Sequence, residues 1–229
     1  MAQAPKDHVG NSRRDFLLAA GGAPSLLISA WKARSEAPSR PSRAAAMDLD
    51  RFVADCVAAS REPEPKAAVL EVLAKAVKSP AAVRTALGEP REAAIRVLQR
   101  SKSLTIFSAT WTPNMNLMPH NHRMWAAIGI YAGREDNILW RRTPERIEAF
   151  GAKALFAGDT VVLPADAIHS VTNPLARFTG GIHIYGGDFF DTTRSQWDPE
   201  TLAEGPSDGE TIREIFRLEN ERMRRCGAP

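Results

Sequence analysis

Cysteine and long apolar runs are both scarce in this sequence. Its 229 residues include only two cysteines, Cys56 and Cys226, which are too few and too far apart to indicate a zinc cluster or a disulfide framework. The apolar stretch near the N-terminus is short and is interrupted by Gly21, Gly22 and Pro24, so it does not suit a transmembrane helix. The sequence therefore predicts neither a disulfide-stabilised scaffold nor a membrane span.

The sequence also has only a small excess of positive charge. The net charge is +3 and the pI is near 9.1, and much of the excess comes from basic residues within positions 1–46. This distribution does not indicate a nucleic-acid-binding surface on the folded part. With 44% hydrophobic and 25% charged residues, the length suits one soluble domain, which we place at residues 47–229.

Four of the five histidines fall in three segments that have strand-and-turn patterns. His120 and His122 lie two apart, and residues i and i+2 of an extended strand project from the same face, so these imidazoles form a clamp for a metal ion. His169 follows a turn signal, and His183 and Tyr185 lie two apart on another predicted strand. One histidine on such a strand is more often structural than a ligand, but the clustering of four favours a metal site.

Two spaced motifs in these segments resemble those of the cupin superfamily. The second cupin motif is matched by Gly158, Pro164, His169 and Asn173, with Asp166 in place of its middle glycine. The first is matched by His120, His122 and Gly133, with Asn114 in place of its first glycine. The resemblance implies a mostly β fold, the cupin double-stranded β-helix or jelly-roll barrel, over residues 99–190. It also implies that His120, His122 and His169 are the metal ligands.

The departures from the first motif narrow the resemblance. Its glutamate is missing, since that slot falls at residues 126–127, and His183-x-Tyr185 follows downstream. Both features are similar to the thiol dioxygenases related to cysteine dioxygenase, as are Trp111 and the GRED segment at 133–136. The resemblance implies an Fe(2+) enzyme that oxidises a small thiol, cysteine or a mercapto acid, to its sulfinate with O2. The alternative is a metal-binding cupin of different chemistry, such as a sensor or binding module.

In this resemblance His183 and Tyr185 act beside the metal. The phenol donates a hydrogen bond to bound oxygen or to a substrate carboxylate, and the imidazole fixes its orientation. The resembled enzymes usually carry a serine two residues before the histidine, where this chain has Gly181, with Thr179 as a substitute. Three imidazole ligands by themselves suit iron, zinc, copper or nickel, so the choice of iron comes from the resemblance.

An arginine is the expected partner for a substrate carboxylate, through a forked contact. A hairpin around Ser101 and Lys102 would place Arg96 opposite the middle of the predicted strand Leu104–Trp111. Arg96 is therefore the candidate for binding the substrate, with Arg100 as the second candidate, and the alternative for either one is a solvated surface arginine.

Helical patterns flank the predicted barrel. Apolar residues keep a 3.6-residue rhythm within a lead-in at 47–98, with a start signal at Ser79 and Pro80. A C-terminal extension at 191–229 begins with loop-like sequence and ends in an amphipathic helix. The apolar stripe of that helix consists of Ile212, Ile215, Phe216 and Met223. The sequence leaves the oligomeric state open.

The N-terminal segment is similar to an export signal. Residues 11–20, NSRRDFLLAA, resemble a twin-arginine motif, and the small residues 44–46 suit a signal peptidase. This route exports folded proteins, which suits a chain that acquires its metal in the cytoplasm, and predicts a periplasmic location. The alternative is that Met47 is the true start or that residues 1–46 are a disordered arm, and a start at Met47 would predict a cytoplasmic protein.

Overall fold

The structure is a computed structural model, and it describes residues 45–227. The helices are α1 (Leu49–Ala59), α2 (Pro65–Val77), α3 (Pro80–Leu87) and α4 (Gly209–Arg225). The first six strands are β1 (Ala94–Arg100), β2 (Thr105–Trp111), β3 (Asn116–Asn121), β4 (Ala126–Ala132), β5 (Arg134–Arg142) and β6 (Ile147–Phe156). The remaining strands are β7 (Thr160–Leu163), β8 (Ile168–Thr172), β9 (Thr179–Tyr185), β10 (Ser195–Trp197) and β11 (Glu204–Pro206). The proposed export motif lies outside the described residues. Within residues 45–227, no helix is both long and apolar enough to cross a bilayer.

The strands form two antiparallel sheets. Sheet A has the order β1-β2-β9-β4-β7, and sheet B has the order β11-β10-β3-β8-β5-β6. Paired neighbours such as β2 and β9, or β3 and β8, are far apart in sequence, so the chain crosses repeatedly between the sheets. This arrangement is a double-stranded β-helix with helices before the first strand and after the last one, and it confirms the predicted fold class.

Sheet A is buried on both faces at its centre, whereas its edge strand β1 is partly exposed. Strands β4 and β9 are buried at every residue. In β4, Ile128 and Ile130 face the barrel interior, while Ala127 packs with the helices. A Cβ added at Gly129 would lie 2.9 Å from Cγ of Leu73 on α2, so this position has no room for a side chain. The close contact between α2 and β4 anchors the N-terminal helices to the barrel.

Three of the four residues in the predicted amphipathic stripe of α4 pack against the barrel. Phe216 is buried, and Ile212 and Ile215 pack against the hydrophobic cluster inside the barrel. The side chain of Asn220 joins the helix to the barrel, because it accepts from the backbone N–H of Ala93 at 2.7 Å and donates to its carbonyl at 2.9 Å. The helix therefore closes one end of the space between the sheets.

The predicted lead-in is helical only in its first part. Residues 94–98 belong to strand β1 rather than to a helix, because they pair with β2 in an antiparallel hairpin. In this hairpin Arg96 lies opposite Ser108, in the middle of β2, as the sequence predicted.

Candidate metal centre

Three buried histidines converge between the sheets. His120 lies on β3 and pairs directly with His169 on β8, and His122 follows the end of β3. One ring nitrogen from each lies within 4.8 Å of the others. Nε2 of His122 and Nε2 of His169 are 3.2 Å apart. The structure thus brings together the three ligands that the cupin resemblance implies, and the set can hold a metal ion.

The hydrogen bonds around the rings suit metal binding. Nδ1 of His120 lies 2.9 Å from the carbonyl oxygen of Met118, and Nδ1 of His169 lies 2.7 Å from Oδ1 of Asn137. Since both partners are acceptors, each Nδ1 carries the proton and each Nε2 presents its lone pair. A cation between the two ring nitrogens would stabilise their short approach. The three imidazole nitrogens therefore suit a metal ion that binds nitrogen ligands.

Burial keeps the three imidazoles neutral. Desolvation lowers the pKa of His120 to about 4 and holds the pKa values of His122 and His169 well below their ordinary value. A neutral imidazole is the form that coordinates a metal, so no proton has to leave at neutral pH.

His183 and Tyr185 lie beside the ligands. Both side chains are buried on β9, and the phenol oxygen of Tyr185 is 3.3 Å from Nδ1 of His183. The ring of Tyr185 is 4.8 Å from that of His122, centroid to centroid, in an edge-on arrangement. Burial raises the pKa of Tyr185, so the phenol keeps its proton and can donate a hydrogen bond. Thr179 does not approach this pair, because its hydroxyl bonds Asn173 and the backbone of Arg134.

A cavity of about 260 Å³ opens onto this cluster. His120, His169, His183 and Tyr185 contribute to its wall, and the other lining residues are mostly apolar. A larger cavity of about 540 Å³ lies between β5, β6 and β7 on another side of the barrel, and it includes none of the three ligands. The smaller cavity is therefore the candidate substrate site.

Arg96 is not brought to this cavity. It shares its face with Ser108, whose hydroxyl is 3.0 Å from that of Tyr131, and both Arg96 and Ser108 line a separate outer groove. Arg100 instead pairs with Asp188, with Nε 2.9 Å from Oδ1. Neither arginine contributes to the wall beside the histidines.

Two other arginines line the cavity beside the histidines: Arg213, which pairs with Glu210, and the half-buried Arg194. Its guanidinium carbon lies 3.8 Å from the ring centroid of Phe189, and its buried Nε has no hydrogen-bond partner among residues 45–227. Burial lowers its pKa. A half-buried guanidinium with a free donor is suited to an anionic ligand. The sequence contains no spacing signal for this residue, because it lies in the irregular segment after the barrel.

Two polar residues of β5 were also missed. Glu135 and Asn137 are two apart, both are buried, and both point inward. Glu135 belongs to the GRED segment, and its Oε2 accepts from Nε1 of Trp111 at 2.9 Å. A polar pair at i and i+2 on a strand whose other face is solvated is the signal that could have identified them.

The other motif residues shape the loops around the site. The side-chain amide of Asn173 donates to the carbonyls of Thr112 and Arg177, at 2.9 and 2.8 Å, and so joins two loops at the barrel end. Asn114 has φ of 60°, and Gly133 has φ of 72°, both in the left-handed region. Asparagine tolerates that region better than most residues, which explains its presence at a glycine position of the motif.

The comparisons with known proteins identify similar barrels. No protein-family model and no curated protein matches this sequence. An RmlC-like cupin family protein with a double-stranded β-helix fold from Methanocaldococcus jannaschii is 11% identical, with 44% of this chain and 86% of that chain covered and a TM-score of 0.39. A cupin superfamily protein from Desulfitobacterium hafniense is 13% identical, with 44% and 83% covered and a TM-score of 0.36. A Cupin 2 conserved barrel domain protein from Salinispora arenicola is 16% identical, with 41% and 74% covered and a TM-score of 0.33. The strand order and pairing described above define the fold.

Proposed function

We propose that the protein is a non-haem iron-dependent thiol dioxygenase. One observation carries the proposal. The Tyr185–His183 pair lies beside three buried imidazoles, and the group of candidate ligands includes no carboxylate. In the overall reaction a thiol and O2 give a sulfinate and a proton. Both oxygen atoms bond to sulfur, which loses four electrons as O2 is reduced.

The ligand set suits a thiolate. Three neutral ligands leave positions open and leave the dipositive charge uncompensated, which favours an anionic guest. Ferrous iron at His120, His122 and His169 would supply a common binding point for the thiolate and O2, which turns their encounter into an intramolecular step.

The cavity favours a thiol that carries a carboxylate. Arg194 offers a buried N–H group that has no partner among residues 45–227, and so can donate a hydrogen bond to an anionic end of the substrate. The residues that line the cavity include no aspartate or glutamate, so an ammonium group would find no counter-charge there. We therefore propose a mercapto acid as the preferred substrate, ahead of cysteine.

Tyr185 would orient the reactants. Its hydroxyl lies 3.3 Å from Nδ1 of His183, and its ring packs against His122. A phenol that keeps its proton at neutral pH can donate to oxygen or to the substrate carboxylate in place of His183. The apolar walls, which include Phe107 and Phe189, would exclude bulk water from the reacting atoms.

The proposal is tested by loading the purified protein with ferrous iron without oxygen, then adding O2 and a thiol. We expect one sulfinate per O2 consumed, with the highest kcat/KM for 3-mercaptopropionate, then cysteine, then cysteamine. Arg194→Gln should raise KM for 3-mercaptopropionate and leave KM for cysteamine unchanged. Arg96→Gln is the matched control and should change neither. Retained iron without thiol-dependent O2 uptake would refute the dioxygenase and leave a metal-binding cupin.

A further inference from the structure

A buried carboxylate lies behind the three histidines without being one of the ligands. Glu135 on β5 is 0% exposed, and the group of candidate ligands does not include it. Its Oε2 accepts from Nε1 of Trp111 at 2.9 Å, and its Oε1 accepts from Nδ2 of Asn137 at 3.1 Å. No lysine or arginine of the described chain forms an ion pair with it, and the ring nitrogen Nε2 of His183 lies 3.5 Å from its Oε2. A fully buried carboxylate with no cationic side chain beside it is costly, which points to a role in this centre.

One branch from Glu135 leads to a metal ligand. The amide of Asn137 donates from Nδ2 to Glu135, so its Oδ1 is left to accept from Nδ1 of His169, at 2.7 Å. His169 then has its proton on Nδ1 and its lone pair on Nε2, where the ligand atoms converge. If the amide were reversed, its NH2 group would face Nδ1 of His169 and would favour the opposite tautomer. The carboxylate therefore sets the direction of this chain of hydrogen bonds.

The other branch leads to His183. Its Nε2 makes no hydrogen bond within residues 45–227, and Oε2 of Glu135 lies 3.5 Å from it. A Cβ added at Gly181 would lie 3.1 Å from the same nitrogen, so the glycine leaves this side of the ring without a side chain. A carboxylate can only accept, so it favours a proton on Nε2. Nδ1 of His183 is then the acceptor for the hydroxyl of Tyr185, at 3.3 Å.

We infer that Glu135 is a positioning residue of the metal centre, which sets the tautomer of the ligand His169 through Asn137 and the tautomer of His183 beside Tyr185. The inference about the tautomers holds whatever reaction the protein catalyses. A role for these tautomers in turnover rests on the proposed function. One carboxylate thereby fixes the position of the ring proton both on the ligand His169 and on His183 beside Tyr185.

The ionisation of Glu135 agrees with this role. Burial alone raises the pKa of this carboxyl, but the N–H groups of His183, Asn137 and Trp111 outweigh burial and hold the pKa below its ordinary value. An ionised carboxylate has acceptor capacity for all three neighbours.

The tautomers can be read directly from long-range 1H–15N correlation spectra of the metal-free protein with 15N-labelled histidine. We expect the proton on Nδ1 in His169 and on Nε2 in His183. In Glu135→Gln the amide must turn its NH2 group either toward Trp111 and His183 or toward Asn137, so at least one of the two histidines should change tautomer. A proton on Nδ1 of His183 in the parent protein, or both tautomers unchanged in Glu135→Gln, would overturn the inference.

Two further variants separate the branches. Asn137→Ala removes only the branch to the ligand, so the affinity for Zn2+, measured by chelator competition, should fall roughly 10- to 100-fold while His183 keeps its tautomer. An unchanged zinc affinity would contradict the role of Asn137. Asp136→Asn is the matched control, because Asp136 bonds Arg134 instead, with Oδ1 2.6 Å from Nε, and both histidines should keep their tautomers.

These measurements separate this inference from the proposed function. The expected tautomers in a protein that oxidises no thiol would refute only the dioxygenase. The opposite tautomers in an active enzyme would refute only the role of Glu135.

Discussion

The two sheets contribute to the metal centre in different ways. Sheet B carries the ligands, since His120 is on β3, His169 is on β8 and His122 directly follows β3. Sheet A carries His183 and Tyr185, both on β9. The candidate ligands therefore lie on one sheet, and the candidate proton donor lies on the other.

The sheets also differ in how they are buried. Strands β4 and β9 of sheet A are buried throughout, because the N-terminal helices cover the outer face. Strand β6 of sheet B is exposed along most of its length, including Phe150 at 57%. Folding stability should therefore depend mainly on sheet A and its helices, while metal binding depends on the inner face of sheet B. Each prediction below tests whether these two properties can be separated.

Removing a ligand should have the largest effect. We expect His120→Ala, His122→Ala and His169→Ala each to abolish metal retention after dialysis, because two imidazoles cannot replace three converging ligands. Metal content by mass spectrometry and far-UV circular dichroism test this, and the helical signal should persist. His183→Gln is the control, since it alters a fourth buried histidine of the same cavity and should leave the metal bound. Unchanged metal content in all three ligand variants would refute the ligand assignment.

A mutation that creates a cavity behind sheet A should have the opposite result, a loss of stability without a loss of metal binding. Leu73 is fully buried on α2 against Gly129, so Leu73→Ala should lower the free energy of unfolding by about 2–5 kcal/mol. The folded fraction should still bind metal in full. Leu218, which is 44% exposed on α4, provides the control, and Leu218→Ala should change stability by less than about 0.5 kcal/mol. Urea titration measures the stability of both variants. Equal midpoints would contradict the expectation that stability depends mainly on sheet A and its helices.

Sheet A also holds the residue that should affect turnover without affecting metal binding. Tyr185→Phe keeps the ring but removes the hydroxyl, so kcat for thiol oxidation should fall at least roughly 100-fold with iron content unchanged. The chain has one other tyrosine, Tyr131, whose hydroxyl bonds Ser108 on the outer face of sheet A. Tyr131→Phe should leave kcat unchanged. A Tyr185→Phe enzyme as fast as the parent would remove the phenol from the mechanism.

The parts of the site that the sequence predicted are those set by local geometry. His120 and His122 share a face because side chains alternate along an extended chain, and the turn before His169 follows from the spacing of Gly158 and Pro164. The substrate-binding arginine is different. The hairpin register of Arg96 was predicted correctly, but the face of β2 that points inward depends on how the sheets pack.

The residues that were missed depend on contacts between distant segments. Glu135 acquires its partners from Trp111 on β2 and His183 on β9, and Arg194 reaches the cavity because the segment before β10 folds over the barrel. Neither contact leaves a spacing pattern in the sequence. The export signal stays a prediction, because it lies outside the described residues.

The smallest effect is expected on the solvent face of sheet B. Arg142 on β5 binds Glu204 on β11, and their side chains are 50% and 37% exposed. This contact lowers the pKa of Glu204 from 4.5 to about 2, so its stabilisation is complete above pH 4.5 and is lost as the pH falls toward 2. Because both side chains are well solvated, Glu204→Gln should lower the free energy of unfolding by less than about 1 kcal/mol at pH 7. Urea midpoints of the two proteins should converge near pH 2, and a difference that persists there would show that the pair acts through packing rather than charge.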